Sequence, residues 1–284
     1  MAIQAPHSRS GGRVLAAWSP DGRYIAFLPT LSPTTSGVFV VAAVGGAERK
    51  LTETYQDDPN RGYYGPNLSW TPDSRWLVLP HKEAPNAPSA LFRLSLETGE
   101  KRRLTAPPPG SSGDWQPAVS PDGHALAFRR SITENVSDLY LLELSKNLTP
   151  ASEPKRLTTD NSSSSPAWSP DGRVIVYCSG STHTPNLWKI TLSQPGWRPG
   201  KTERLTFAGE GVMEPAIFRQ GRLAYSQMAI DVDIWRLELN GTHPAMKPPC
   251  PVISSTRVDH DPRYSPDGKH IVFASNRSGG LEIW

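Results

Sequence analysis

The sequence predicts an all-β fold, a six-bladed β-propeller of four-stranded antiparallel blades with the last blade incomplete. Three observations predict it. A turn word recurs as Trp18-Ser-Pro-Asp-Gly22, Trp70-Thr-Pro-Asp-Ser74, Val119-Ser-Pro-Asp-Gly123, Trp168-Ser-Pro-Asp-Gly172 and Tyr264-Ser-Pro-Asp-Gly268, with a worn copy at Ile217-Phe-Arg-Gln-Gly221. The first positions are spaced by 52, 49, 49, 49 and 47 residues, a period typical of propellers and solenoid arrays. Between the words, short segments alternate apolar and polar residues as half-buried strands do, and no stretch sustains a helical period.

The turn word has a mechanical meaning. Pro170 presets φ for the second position of a type I turn, Asp171 suits the third, and Gly172 takes the left-handed position that follows. That is a hairpin loop with a bulge. Ser74 stands where the other copies carry glycine, so a residue with a Cβ must tolerate left-handed backbone there. In the first repeat the strands are expected at Val14–Trp18, Tyr24–Leu28, Gly37–Ala43 and Glu48–Thr52. Fourth strands carry their own signature: Arg49-Lys-Leu-Thr52, Arg102-Arg-Leu-Thr105, Lys155-Arg-Leu-Thr158 and Glu203-Arg-Leu-Thr206. Blades begin near 14, 66, 115, 164, 213 and 260, making residues 1–284 one propeller domain. Trp18, Trp70, Trp168 and Tyr264 recur in register and are expected to wedge between adjacent blades.

Composition fits many short strands joined by turns, with 29 prolines and 23 glycines in 284 residues. No apolar run reaches the eighteen residues of a membrane helix. The start, Met1-Ala-Ile-Gln-Ala-Pro-His7, lacks the basic and apolar regions of a signal peptide; export together with a parent protein would place the chain in the periplasm. Net charge is +3 with a pI near 8.9, without the clustered basic face of a nucleic-acid binder. The densest basic run, Lys101-Arg-Arg103, falls on an outermost strand, where charge protects a sheet edge. Cys178 and Cys250 lie in different repeats and read as isolated thiols. The last repeat stops at Trp284, in the middle of its third strand, so the expectation is a piece of a longer polypeptide.

No nucleophile elbow, zinc-protease helix, phosphate-binding loop or dinucleotide fingerprint is present, so no catalytic, cofactor-binding or metal-binding residue is assigned. Asp259-His-Asp261 has metal-capable side chains but no third ligand, and reads as a solvated loop. A protein or peptide partner at one loop face is the expected ligand. Loops that enter the first strands, or join second to third strands, gather on the face opposite the turn words. The longest, Glu53–Asn67, carries Tyr55, Asp57, Asp58, Arg61, Tyr63 and Tyr64; Trp115, Glu210, Met213 and the Asp259–Asp261 segment join it. Exposed aromatics with arginine are typical partner anchors, and the candidate set is Tyr55, Arg61, Tyr63, Tyr64, Trp115, Asp259 and Asp261. Tyr63 and Tyr64 equally suit packing over the end of the second blade. Asn161-Ser-Ser-Ser-Ser165 reads as an unadorned connection.

Trp-Ser-Pro-Asp-Gly-Arg with its following apolar strand, Arg-Leu-Thr before the next blade, and Ala274-Ser-Asn-Arg-Ser278 resemble the TolB-like propeller repeat across essentially the whole chain. Gly45-Gly-Ala-Glu-Arg-Lys-Leu-Thr52, Leu94-Ser-Leu-Glu-Thr-Gly-Glu-Lys-Arg-Arg-Leu-Thr105 and Asp233-Ile-Trp-Arg-Leu-Glu-Leu239 are similar to a bacterial group in which a CadC- or OmpR-type winged helix precedes such a propeller. The resemblance implies a non-catalytic sensory or protein-binding module of a transcriptional regulator, with any DNA-binding domain outside this chain. TolB-like envelope proteins, prolyl-oligopeptidase-type hydrolases and kinase-linked proteins carry related propellers, so the resemblance leaves those settings open.

Overall fold

A computed structural model describes residues 15–55, 67–133, 135–181, 184–209, 211–218, 220–228, 231–240, 243–244, 248–278 and 280–284. These fall into two compact units, Met1–Gln227 and Met228–Trp284. Among the described residues the regular structure is all strand apart from one 3-10 turn, Thr206–Ala208.

In the first unit, β1 (Leu15–Trp18), β2 (Tyr24–Leu28), β3 (Thr30–Ser32), β4 (Thr35–Ala42) and β5 (Arg49–Tyr55) form one antiparallel sheet. β2 coincides with the expected second strand, Tyr24–Leu28, and Pro29, which has no N–H for a ladder, separates it from the additional short β3. The next sheets are four-stranded meanders. The second contains β6 (Ser69–Trp70), β7 (Trp76–His81), β8 (Ala90–Ser95) and β9 (Lys101–Arg103). The third contains β10 (Gly113–Val119), β11 (Ala125–Thr133), β12 (Val136–Glu143) and β13 (Lys155–Arg156). The fourth contains β14 (Ser164–Trp168), β15 (Val174–Ser181), β16 (Thr184–Ser193) and β17 (Arg198–Arg204). The pair β18 (Val212–Ile217) and β19 (Leu223–Gln227) closes the unit. As expected, the Lys101-Arg-Arg103 run lies on an edge strand, with Arg102 and Arg103 paired to Glu100 and Glu83.

Each inner sheet is apolar on both faces because a neighbouring sheet covers each. Leu126, Phe128 and Leu142 pack with Val78, Leu91 and Leu104 of the second sheet. The alternate residues Ala125, Ala127, Leu139 and Leu141 pack with Trp168, Ile175 and Tyr177 of the fourth. Such burial, at about 25 cal/mol per Å² of apolar surface, is the main stabilising force between blades.

The turn word folds as its residues require. Gly22, Gly123, Gly172 and Gly268 have φ between 67° and 77°, and Ser74 adopts 58° in their place. In each copy the first hydroxyl donates to the aspartate, as Ser169 Oγ does to Asp171 Oδ1 at 2.6 Å. The same Oδ1 accepts the N–H of Arg173 at 3.1 Å, while Ser169 Oγ accepts that of Val174 at 2.9 Å. Equivalent bonds recur at Ser19, Thr71, Ser120 and Ser265. The serine hydroxyl and then the backbone N–H hold the carboxyls of Asp21, Asp171 and Asp267 below the usual carboxylate range.

The Arg-Leu-Thr word is also a local knot. Thr105 Oγ1 accepts the N–H of Leu91, and Thr158 Oγ1 that of Leu139, each at 2.9 Å. Arg103 and Arg156 curl back to donate to the carbonyls of Thr105 and Thr158. The aromatic wedges divide. Trp70 and Trp168 are buried, and their indole N–H groups donate to Ala17 and Ala118 on the preceding sheets at 3.0 and 2.8 Å. Trp18 is 61% exposed and Tyr264 57%. Both depart from the expected wedge, and for Trp18 the reason is that its sheet is the first of its unit.

In the second unit, β20 (Ile234–Arg236) pairs with β23 (Cys250–Ile253), and the short β21 (Leu239–Asn240) pairs with β22 (His243–Pro244). β24 (Asp259–Tyr264), β25 (Ile271–Ser275) and β26 (Glu282–Ile283) form a three-stranded sheet. The fifth repeat therefore contributes strands to both units, with β18 and β19 in the first and β20 and β23 in the second.

Candidate functional site

The loop-face candidates separate into residues at the surface and residues spent on packing. Tyr55 ends β5 and is 54% exposed. Its ring tilts against His81, 6.3 Å between centroids, and its N–H points to His81 Nδ1 at 3.4 Å. His81 Nε2 lies 3.4 Å from Lys101 Nζ. Burial, then the Lys101 charge, pushes the His81 pKa down to about 4, so the ring is neutral at pH 7. Burial also lowers the Lys101 pKa. Tyr55 thus sits beside a half-buried cation on the rim of the second sheet. Arg61, Tyr63 and Tyr64, with Asp57, Asp58 and Glu210, lie outside the described residues.

Trp115 departs from the expected exposed aromatic. It is 4% exposed, with its indole N–H donating to Ser112 O at 3.2 Å. Met213 is likewise buried. Asp259 is fully buried and accepts from Arg277 Nη2 and Ser255 Oγ, each at 2.8 Å, so it is not the solvated loop acid expected. Asp261 does stand at the surface, 3.0 Å from His260 Nδ1. Among the described residues no three His, Cys, Asp or Glu side chains come together as metal ligands. The Cys178 thiol is buried and pushed up to about 12 by that burial, which makes a thiolate scarce at neutral pH.

The structure adds features that sequence reasoning missed. Gln116, Ser165, Glu214 and Asp261 all have φ between 51° and 56°. Each lies three residues before the first position of a turn word and directly before a proline. Each also lies within a break in strand register between first and second strands, such as Trp115/Ala118 in β10. Left-handed backbone costs an L-residue about 1–2 kcal/mol, so four copies mark a repeated device. Part of its purpose is visible: Asn67 Oδ1 accepts the N–H of Gln116 at 3.2 Å, and Gln116 Oε1 accepts the N–H of Ser165 at 2.8 Å. These bonds tie the inner strands of three successive sheets. The Gln116-Pro, Ser165-Pro, Glu214-Pro and Asp261-Pro pairs were the readable signal.

Two further corrections concern loops. Phe207, within the 3-10 turn before β18, is 78% exposed, making it a surface aromatic of the kind sought at Trp115. The serine run 161–165 is not unadorned: Ser163 Oγ donates to Asp160 Oδ1 at 2.6 Å, and Ser179 Oγ donates to Asp160 Oδ2.

Blades of this type, with the turn and Arg-Leu-Thr knots in place, define a propeller of the TolB class. The family profile described as TolB beta propeller domain matches residues 66–284, and the chain belongs to that family. An uncharacterised protein of Agrobacterium fabrum, Atu1656, is 26% identical over 210 residues, covering 73% of this chain and 64% of that protein. YuxL of Bacillus subtilis, described as an uncharacterised peptidase, is 27% identical over 172 residues, covering 59% of this chain and 22% of that protein. The chain thus spans less than two thirds of either relative. The crystal structure of TolB from Acinetobacter baumannii aligns with a TM-score of 0.53 at 19% identity, covering 96% of this chain and 60% of that one. No helix among the described residues is long and apolar enough to cross a membrane.

Proposed function

We propose that this propeller is a non-catalytic module that binds a protein or peptide, serving as the sensory or interaction part of a bacterial transcriptional regulator whose DNA-binding domain lies outside these residues. The observation that carries the binding role is the exposed Tyr55 at the root of the 53–67 connection, on a sheet packed through a buried apolar core against its neighbour. Rigid scaffolds presenting aromatic loop residues are where recognition concentrates. TolB-like propellers bind proteins, and the sequence words around Gly45, Leu94 and Asp233 favour the regulator setting. In the first unit Tyr55, Arg61, Tyr63 and Tyr64 are the proposed contacts, with Phe207 added and Trp115 as a buried support; in the second unit Asp261 is taken by itself as a proposed contact, with Asp259 as its buried support.

The test is capture of a partner from native extract by the wild-type chain and by a Tyr55→Ala/Arg61→Ala/Tyr64→Ala variant. Loss of a specific partner at unchanged melting temperature supports the reading, whereas equal capture by both refutes the site. Similarity to YuxL favours a second reading, a propeller that gates a hydrolase domain. Coding sequence adjoining this segment separates the two, as a winged helix in one case and a hydrolase in the other.

A further inference from the structure

The turn face of the first unit holds a cavity of about 740 Å³ between the second and third sheets. Its walls are the Thr71–Asp73 and Asp122–His124 turns, the start of β7, the outward side of β8 and β9, and the hairpin Ser145–Leu148. Arg93, near the middle of β8, lies in this wall and is only 6% exposed. Its guanidinium packs over the Trp76 ring, 4.8 Å from the centroid. One arm, Nη1, donates to the carbonyl of Asn147. The hairpin that presents this carbonyl is strained, since Leu148 takes φ 54°. The buried Nε has no hydrogen-bond partner.

A buried guanidinium with an unmade bond is costly, because it has given up water without replacing it. No described carboxylate pairs with Arg93. The three acids of the cavity are engaged elsewhere. Asp73 and Asp122 accept the hydroxyl and N–H of their own turns, and Glu100 pairs with Arg102 at 2.6 Å. Arg75 and Lys146 add positive charge at the exposed rim and form no ion pair with a described residue.

We propose that this cavity binds a small molecule through an oxyanion group, a phosphate monoester or a carboxylate, that accepts from the Arg93 guanidinium and is approached by Arg75 and Lys146. The planar fork of arginine suits both groups. Asp73 and Asp122 at the mouth disfavour polyanions and limit the site to a compact anion. The site lies on the turn face and is independent of the loop-face reading.

Titration calorimetry at pH 7.5 tests it, using inorganic phosphate, succinate and potassium chloride at matched ionic strength. Saturable binding of phosphate or succinate, absent with chloride, is expected, and the stronger of the two identifies the group. Arg93→Met should weaken that binding about tenfold or more. Arg75→Ala/Lys146→Ala, which leaves the buried wall intact, should weaken it about threefold or more with unchanged melting temperature. This second variant decides the matter if Arg93→Met does not fold. Absence of saturable binding, or equal affinity in wild type and the rim variant, overturns the proposal.

Discussion

Replacing Arg130 by Met tests the ion pair buried deepest in the third sheet. Arg130 Nε and Nη2 grip Asp114 at 2.7 and 2.9 Å, with side-chain exposures of 9% and 0%. The guanidinium also lies 4.8 Å from the Tyr140 ring and 5.5 Å from that of Phe128. Removing it leaves a carboxylate with no solvent, and breaking such a pair costs about 3–5 kcal/mol. Replacing both partners by apolar groups removes the stranded charge, so Asp114→Leu/Arg130→Met should lie within about 1 kcal/mol of wild type. Burial already pushes the Asp114 carboxyl up. Without Arg130 its folded pKa stands further above the unfolded value, so the folded state holds the proton more tightly. The loss from Arg130→Met is therefore small in acid and grows as pH rises through that interval. Urea denaturation at pH 5 and pH 7, read as a midpoint shift at constant slope, measures each part. A loss below about 1 kcal/mol at pH 7, or a double variant as weak as the single one, would refute the reasoning.

Three other outcomes are expected. Trp168→Phe should cost about 2–3 kcal/mol, since it removes the bond to the half-buried Ala118 carbonyl and leaves a void, whereas Trp18→Phe should change the unfolding free energy by less than about 0.5 kcal/mol. Ser74→Gly should stabilise by about 0.5–1 kcal/mol by relieving left-handed backbone, and Gly172→Ala should destabilise by a similar amount; thermal melts of both suffice. The depressed His81 pKa means that the unfolded chain binds the extra proton between about pH 6.5 and pH 4, so stability rises with pH across that window. After allowance for its half-exposed ring this amounts to about 1–2 kcal/mol, and His81→Gln should flatten that slope in acid-limb denaturation.

What the sequence made legible was local. The turn word is legible because its hydroxyl, proline, aspartate and glycine satisfy one another within five residues. The Arg-Leu-Thr word was visible too, although its purpose, a threonine hydroxyl receiving the N–H of the adjacent strand, needed the pairing. The aromatic wedge was half legible: Trp70 and Trp168 have a preceding sheet to enter, while Trp18 shows the same word on the first sheet of its unit. Burial of Trp115 and Asp259 depends on residues that are distant in sequence or turned inward by the strand, which no local word announces. The bulge residues were the avoidable miss. A polar residue before proline recurs four times in fixed register, a period as regular as that of the turn word.

Asn67 and Gln116 give the first unit a grammar of interchangeable tiles. Each presents its side-chain oxygen forward as an acceptor, and the residue whose N–H donates to it lies 49 positions later in both cases. Excising the block 68–116 would bring the amide of Asn67 up to the link that Gln116 had made, and duplicating that block would supply a new donor and a new acceptor together. The chain can thus change its length by whole tiles without orphaning either end of the joint, a route by which a propeller acquires or sheds a blade in one genetic step.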